Sequence, residues 1–317
     1  MPLEQSSDER LPGVSVTISA YNYAKFLPEA IESVLAQDYP EFELIVVDDG
    51  STDNTSEVVA RYGEKVRYVH QKNAGLSAAR NTGIKTARYD FISFLDADDH
   101  FQPTMLRKIM EAFVKLSRDF AVVACGTSYM DITGRDLETK SLERKSTPEE
   151  LTCRDFILKN CCSADAVVVR KSAFAECGDY DTTLRSSEDR DMWIRISARK
   201  RFYVIPERLL RVRRHPNSMS KHADRMKNNA RRVILKAYHS RIVSHCDVVF
   251  WLRVFSFLHF QAAWMYRDEG RRGCAIRDML FSITLWPLFR NPKRLNEPPW
   301  FRLRSVIRFS RELLHLA

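Results

Sequence analysis

The sequence predicts an α/β fold: a mostly parallel sheet flanked by helices, followed by a helical C-terminal extension. Three observations carry this. Between residues 14 and 99, short runs rich in β-branched and aromatic residues alternate with helical-period segments, a β-α-β-α-β-α-β series. The strand-like runs are almost continuously apolar, as strands covered on both faces must be. Each run also ends in polar residues, and in open sheets of this kind the carboxyl ends of the strands face a ligand crevice.

The elements follow in order. "VSVTISAYN", "FELIVVDDGS", "VRYVHQ" and "DFISFLDADD" read as strands, with helices predicted over residues 24–37, 54–62 and 75–87. Pro103 starts a helix to residue 117, "FAVVACGTSYMD" is a further strand, and the charged stretch 141–150 with Pro148 is a surface loop or lid. "DAVVVRK" returns as a strand, and "SEDRDMWIRISARK" is a helix with Met192, Trp193 and Ile196 on one apolar side. From His222 the pattern is helical, with interruptions at Gly270, Gly273, Pro287, Pro292, Pro298 and Pro299. The expected division is a flexible N-terminus over 1–11, a catalytic domain over 12–221 and a helical region over 222–317.

The totals narrow the class. A chain of 317 residues with 44% apolar and 29% charged content is an ordinary globular composition. Its seven cysteines are scattered and odd in number, without a CxxC pair, so neither a disulfide framework nor a zinc site is indicated. The polar start "MPLEQSSDERLPG" lacks the apolar run of a secretion signal, and the apolar stretch 248–265 is broken by Arg253, His259 and Gln261. A cytoplasmic chain without a membrane span is the expectation. The net charge is +9, and residues 199–232 hold 12 Lys/Arg against 2 acids, enough to account for the whole surplus. Such a stretch suits nucleic acid, anionic lipid or a phosphorylated ligand, or forms a solvated face.

Four stretches carry chemistry. In "LDADD", Asp96 and Asp98 stand two positions apart at a strand end, where both can reach one hard cation beside a diphosphate, with Asp99 next to them. In "DDGS" two adjacent acids exceed what a turn requires; Asp49 is the candidate for a base or ribose, and Asp48 the more structural. In "NAGLSAARNTG" the loop-to-helix step at Asn73 and Gly75, with Arg80, is either a phosphate cradle or a plain helix start. In "RSSEDRDMW", Glu188 and Asp189 open a helix, where one carboxylate is held towards the crevice or both simply complement the helix dipole. "RVRRHPNSMS" adds Arg211, Arg213, Arg214 and His215 near Ser218 and Ser220, a set that suits a diphosphate.

Taken jointly and in this order, these stretches resemble a family 2 glycosyltransferase of the GT-A fold, of the non-processive bacterial type, over residues 11–220. The resemblance implies that Ser19, Tyr21 and Asp49 bind the nucleotide, with Asp96 near the ribose; Arg80, from the loop-to-helix step, is counted with them as a nucleotide-binding candidate. It implies Asp98 on a Mn²⁺ or Mg²⁺ ion with His215 close to the diphosphate, and Asp48 and Glu188 in support. It makes Asp189 the general base that takes the proton of an acceptor hydroxyl, so that the anomeric configuration inverts. The donor is a nucleotide-diphospho-sugar, UDP first and dTDP second. The acceptor is a glycan or a lipid-linked hydroxyl in cell-surface polysaccharide or glycolipid assembly. The Q-x-x-R-W motif and membrane helices of processive synthases are absent from the sequence, which favours single addition.

Other classes use similar parts. A nucleotidyltransferase would show a glycine-rich, Lys/Arg-containing loop after the first strand, where this chain has "SAYNYAKFL". A nucleic-acid-binding protein would interleave aromatics through the basic stretch 199–232, which carries few, so nucleic acid is not an expected partner. Within 222–317, aromatics such as Trp251, Phe255, Phe260, Trp264 and Phe281 sit among arginines. They form either a face for peripheral contact with an anionic membrane or a packing surface for the catalytic domain or a second subunit.

Overall fold

The computed structural model describes residues 12–137, 149–215, 222–287 and 300–314. The predicted series forms β1 (Val14–Ala20), α1 (Leu27–Leu35), β2 (Phe42–Asp48), α2 (Thr55–Ala60), β3 (Arg67–His70), α3 (Leu76–Thr86) and β4 (Phe91–Asp96). Pro28 stands in the first turn of α1, where its missing N–H costs no helical bond. β1 is completely covered except at Ser19, and β4 except at Asp96, so each strand meets the crevice only at its end. The parallel register puts Ala20 beside Asp48 and Ser19 beside Asp96, which brings three strand ends level at one edge.

The second half departs from an all-parallel sheet. After β5 (His100–Phe101), α4 (Met105–Lys115), β6 (Phe120–Met130), β7 (Glu149–Leu151) and α5 (Cys153–Leu158), strand β8 (Val167–Arg170) runs antiparallel to β4 and β6. Then come α6 (Lys171–Cys177), α7 (Glu188–Ser197) and β9 (Arg201–Arg213), a thirteen-residue strand parallel to β6. The order across the nine strands is β3-β2-β1-β4-β8-β6-β9-β5, with β7 also on β9.

β9 lies inside the basic stretch, where charge hides the strand pattern. Phe202, Val204, Leu209 and Leu210 are buried, while its arginines are largely spent in pairs. Arg201 bonds Glu150 and Asp119, Arg211 bonds Asp136, and Arg213 is buried. These three of the stretch's cations are therefore tied down within the fold. Of the expected loop 141–150, Glu149 and Glu150 belong to β7, and 141–148 lie outside the described residues.

The C-terminal helices are α8 (Ala223–His239), α9 (Val248–Asp268), α10 (Arg272–Leu285) and α11 (Phe301–Leu313). Val233 and Ile234 of α8 and Phe250, Trp251, Val254 and Leu258 of α9 join the same hydrophobic cluster as the sheet. A smaller cluster of Ala262, Ala263, Tyr266, Ala275, Met279 and Phe309 holds α9, α10 and α11 together. By length and composition α9 is long and apolar enough to cross a membrane, with mean hydropathy 1.3; its packing on α8 and α10 buries nine of its residues.

Candidate active site

The level strand ends open into a cleft of about 580 Å³, lined by Ser19, Tyr21, Asp49, Asp96, Asp98 and Glu188 among others. Six residues singled out in the sequence thus share one wall. The loop around them is fixed by its own polar groups. Asn22, in the left-handed region at φ 57°, accepts from the backbone N–H of Thr52 at 2.7 Å, stitching the end of β1 to the following turn. Gly50 takes φ 77°, and a Cβ there would meet the Asn73 backbone nitrogen at 2.8 Å.

Asp48 and Asp49 divide their work. Asp48 is buried and accepts from Ser51 N–H at 2.8 Å and the Tyr68 hydroxyl at 2.6 Å, so it shapes the turn. Asp49 accepts from Gln71 Nε2 and from the N–H groups of Ala74 and Gly75 at 2.6, 2.9 and 2.7 Å. Both of its oxygens hold the 71–75 loop against the cleft.

The "DADD" turn is held from beneath. Arg213 is buried; its N–H donates to Asp99 Oδ1 at 2.8 Å, its Nε to the Asp98 carbonyl at 2.9 Å, and its Nη2 to Glu29 at 2.6 Å. The sequence suggested Arg213 as a diphosphate partner; the structure makes it the pin of the acidic turn. Ser218 and Ser220 lie outside the described residues. Asp98 Oδ2 lies 2.8 Å from His215 Nε2, and the imidazole is wedged between Tyr23 and Phe26.

Asp96, Asp99 and Asp165 bring carboxylate oxygens within 4.8 Å of one another. Burial, reinforced by neighbouring carboxylates, raises Asp99, Asp98 and Asp96, the last up to about 7. Oδ1 of the buried Asp165 has no hydrogen-bond partner among the described residues. Asp96 and Asp99, crowded against Asp165 with its oxygen still to satisfy, fit a hard divalent cation at this edge. Cationic side chains complete the rim: Arg185 and Arg214 line the cleft, Arg214 stacked over Tyr129.

Arg80 lines the chamber adjoining the cleft and not the cleft itself; it is 3% exposed, with Nη1 on Glu188 at 2.6 Å and Nη2 on Asp96 at 3.0 Å. The reason is charge pairing: a buried guanidinium flanked by two carboxylates is held in place by them.

Asp189 sits in the first turn of α7, whose Trp193 is fully buried and fixes the helix. Ser187, before it, adopts φ 61°, an unfavourable conformation for a residue with a Cβ that turns the chain sharply into the helix. Asn160 Nδ2 donates to Asp189 Oδ2 at 2.8 Å and the Arg190 N–H to Oδ1 at 2.7 Å. Burial and the adjacent Glu188 push the Asp189 carboxyl up to about 6, against the opposing pull of Asn160 and Arg80. Such a group is ionised at neutral pH yet basic enough to accept a proton. Asp189 faces a second chamber, of about 270 Å³, that meets the cleft at Leu76, Asp96 and Glu188. Asn160, Asp165 and Arg185 were not singled out from sequence; Arg185 opens the "RSSEDRDMW" stretch, while Asn160 and Asp165 stand in no motif and only the fold brings them here.

Residues 15–178 match the family model of Glycosyl transferase family 2. The chain belongs to that family. An uncharacterized glycosyltransferase of Rickettsia prowazekii is 31% identical over 205 residues, 64% of this chain and 64% of that protein. The uncharacterized glycosyltransferase EpsJ of Bacillus subtilis is 39% identical over 119 residues, 37% of this chain and 34% of that protein. The chain therefore spans less than two thirds of the length of these relatives. Among solved structures, S. aureus TarS 1-349 in complex with UDP superposes with TM-score 0.55 at 18% identity, covering 89% of this chain and 94% of that one. The mannosyltransferase PcManGT of Pyrobaculum calidifontis, in complex with GDP-Man and Mn²⁺, gives TM-score 0.61 at 16% identity, covering 97% and 89%. The expected GT-A fold with C-terminal helices is thus the fold of this family 2 glycosyltransferase.

Proposed function

We propose that this glycosyltransferase moves a single sugar from a nucleotide-diphospho-sugar to an acceptor hydroxyl with inversion at the anomeric carbon. The observation that carries the reading is the position of Asp189, pinned by Asn160 on a chamber that joins the acidic cleft at Asp96 and Glu188. The donor lies along the strand ends, its base and ribose among Ser19, Tyr21, Asp49 and Asp96. UDP is the first candidate nucleotide, which agrees with UDP in the TarS complex; dTDP is the second.

Asp98, with His215 beside it, would hold Mn²⁺ or Mg²⁺ next to the clustered carboxylates of Asp96, Asp99 and Asp165. A divalent cation there supplies neutralisation of the charge on a departing diphosphate. Arg185 and Arg214 add fixed positive charge on the same rim. From the chamber side, Asp189 accepts the acceptor's hydroxyl proton as its oxygen attacks the anomeric carbon. Attack from the side opposite the leaving group inverts that carbon in one displacement. The chain works in the cytoplasm, with residues 12–221 as the catalytic domain and 222–317 as a helical region whose α8 and α9 line the chamber at Asp189. The acceptor is a glycan or lipid-linked hydroxyl of cell-surface polysaccharide or glycolipid assembly.

The test is calorimetric titration with UDP, dTDP and GDP, each with and without Mn²⁺, on the natural chain and on Asp98→Asn. One nucleotide is expected to bind with Mn²⁺, and Asp98→Asn to weaken that binding at least tenfold. Binding indifferent to both the metal and Asp98 would contradict the reading.

A further inference from the structure

The helix before Asn160 cannot stand by itself. α5 is six residues long, too short to persist without tertiary packing, and its last carbonyls need partners from outside the helix. Its neighbours supply both. Phe156 is fully buried against Phe202 of β9, ring centroids 4.7 Å apart, and Phe202 packs in turn on Trp193 of α7. On the polar side, Arg190 Nε donates to the Phe156 carbonyl at 2.9 Å and Nη2 to the Ile157 carbonyl at 2.6 Å.

Arg190 is 3% exposed, and its side-chain bonds among the described residues go to these carbonyls and not to a carboxylate. Burial pushes the guanidinium down to about 10, which still leaves it charged at neutral pH. A buried cation is costly to keep, and a planar fork on two successive carbonyls fixes the direction of the turn as well as its distance.

The chain leaves α5 at Lys159, extended at φ −151°, and the next residue is Asn160. Adjacent residues of α7 thus grip one turn: Arg190 takes the carbonyls of Phe156 and Ile157, and Asp189 takes the Asn160 amide at 2.8 Å. The amide has no hold at its other end, since Asn160 Oδ1 is buried without a partner among the described residues. Where the backbone puts Asn160 therefore decides whether its N–H reaches Asp189.

We propose that Arg190 is a positioning residue for the transfer: its guanidinium fixes the turn after α5 so that the Asn160 amide stays on the base Asp189. The inference rests on the transferase reading above and goes beyond it in naming what holds the base. Released from Arg190, the turn carries Asn160 away, and the carboxylate loses the donor that favours its charged form. The other titratable groups facing Asp189 stay in place: Glu188 beside it, Arg80 from α3, Tyr180 before α7, Cys161 after α5, and Asp96 and Lys227 across the chamber.

The experiment follows thermal unfolding of the full chain from pH 4 to pH 8, in pairs that differ only by Asp189→Asn. The difference within a pair grows as the folded carboxyl ionises and levels off above its titration, near 6 in the natural chain. Arg190→Gln is expected to move the levelling point up by about half a pH unit or more. Arg190→Lys, which keeps the charge but not the fork, is expected to move it less, and carries the comparison if the Gln variant does not fold. With Asn160→Ala already present, either Arg190 change is expected to add nothing further. A levelling point that stays in place would overturn the proposal. So would an equal upward move with and without Asn160, since the charge of Arg190 would then act on Asp189 directly. The two failures are separable. A natural pair whose difference does not grow between pH 4 and pH 8 contradicts the raised Asp189 and with it the base of the transferase reading; a natural rise that the Arg190 variants leave untouched removes this inference alone.

Discussion

Arg80 Nη1 donates to Glu188 Oε1 over 2.6 Å, joining residues 108 positions apart. Its Nη2 meets Asp96 Oδ1 at 3.0 Å, so one buried cation ties α3 to the end of β4 and the start of α7. The donor cleft and the helix carrying Asp189 are thereby held as one unit. Replacing the guanidinium by an apolar chain leaves buried Glu188 without its cation, and breaking a buried pair costs about 3 to 5 kcal/mol. Arg80→Met is expected to lose stability of that order in urea unfolding, and adding Glu188→Gln to recover part of it. No recovery would show that the lost pair is not the cause.

The pH dependence follows from Asp189, raised to about 6 by burial. A general base works only when ionised, so kcat at saturating donor is expected to fall tenfold per unit below pH 6. Stability has the opposite sign. A carboxyl whose folded pKa lies above its unfolded value favours the folded state when protonated, and that contribution is lost as pH rises from about 4 through about 6. Asp189→Asn should therefore be more stable than the natural chain at pH 8, with the difference shrinking towards pH 4. Thermal unfolding across that range checks the sign.

Asn160 stabilises the ionised form of Asp189 by donating to it. Asn160→Ala is expected to move the acid limb of kcat to higher pH, above the position near 6 in the natural chain. A limb that stays in place, with only the overall rate changed, would assign Asn160 a packing role.

Gly50 tests the donor side. At φ 77°, with the Asn73 nitrogen 2.8 Å from any added Cβ, Gly50→Ala strains the turn between Asp49 and Ser51. A cost of about 1 to 3 kcal/mol is expected in unfolding. Nucleotide affinity is expected to fall with it, since Asp49 holds the loop that lines the cleft.

These expectations differ in how far the sequence discloses them. Strand ends were legible because the transition from apolar run to acidic turn is local: "VVDDGS" and "FLDADD" announce both the strand and its mouth. Arg80 was legible only as a helix residue near a glycine; its partners lie 16 and 108 positions away, and nothing local signals them. β9 was hidden because its exposed arginines broke the apolar pattern that marks a strand, while the neighbouring strand that tolerates them is β6. Asn160 and Asp165 sit in the short connection between α5 and β8, Asp165 within a single 3-10 turn, where position is decided by packing and not by periodicity. The C-terminal helices showed their aromatics but not their use. Only the fold reveals that α8 and α9 wall the chamber at Asp189.

The central claim is that Asp189 serves the chemistry and not donor binding. Its most direct test is the rate of donor turnover by Asp189→Asn at saturating donor, with nucleotide affinity measured on the same preparation. The account predicts unchanged affinity and turnover reduced about 10² to 10⁴-fold. Turnover within a few fold of the natural chain would contradict it and move the base elsewhere in the chamber.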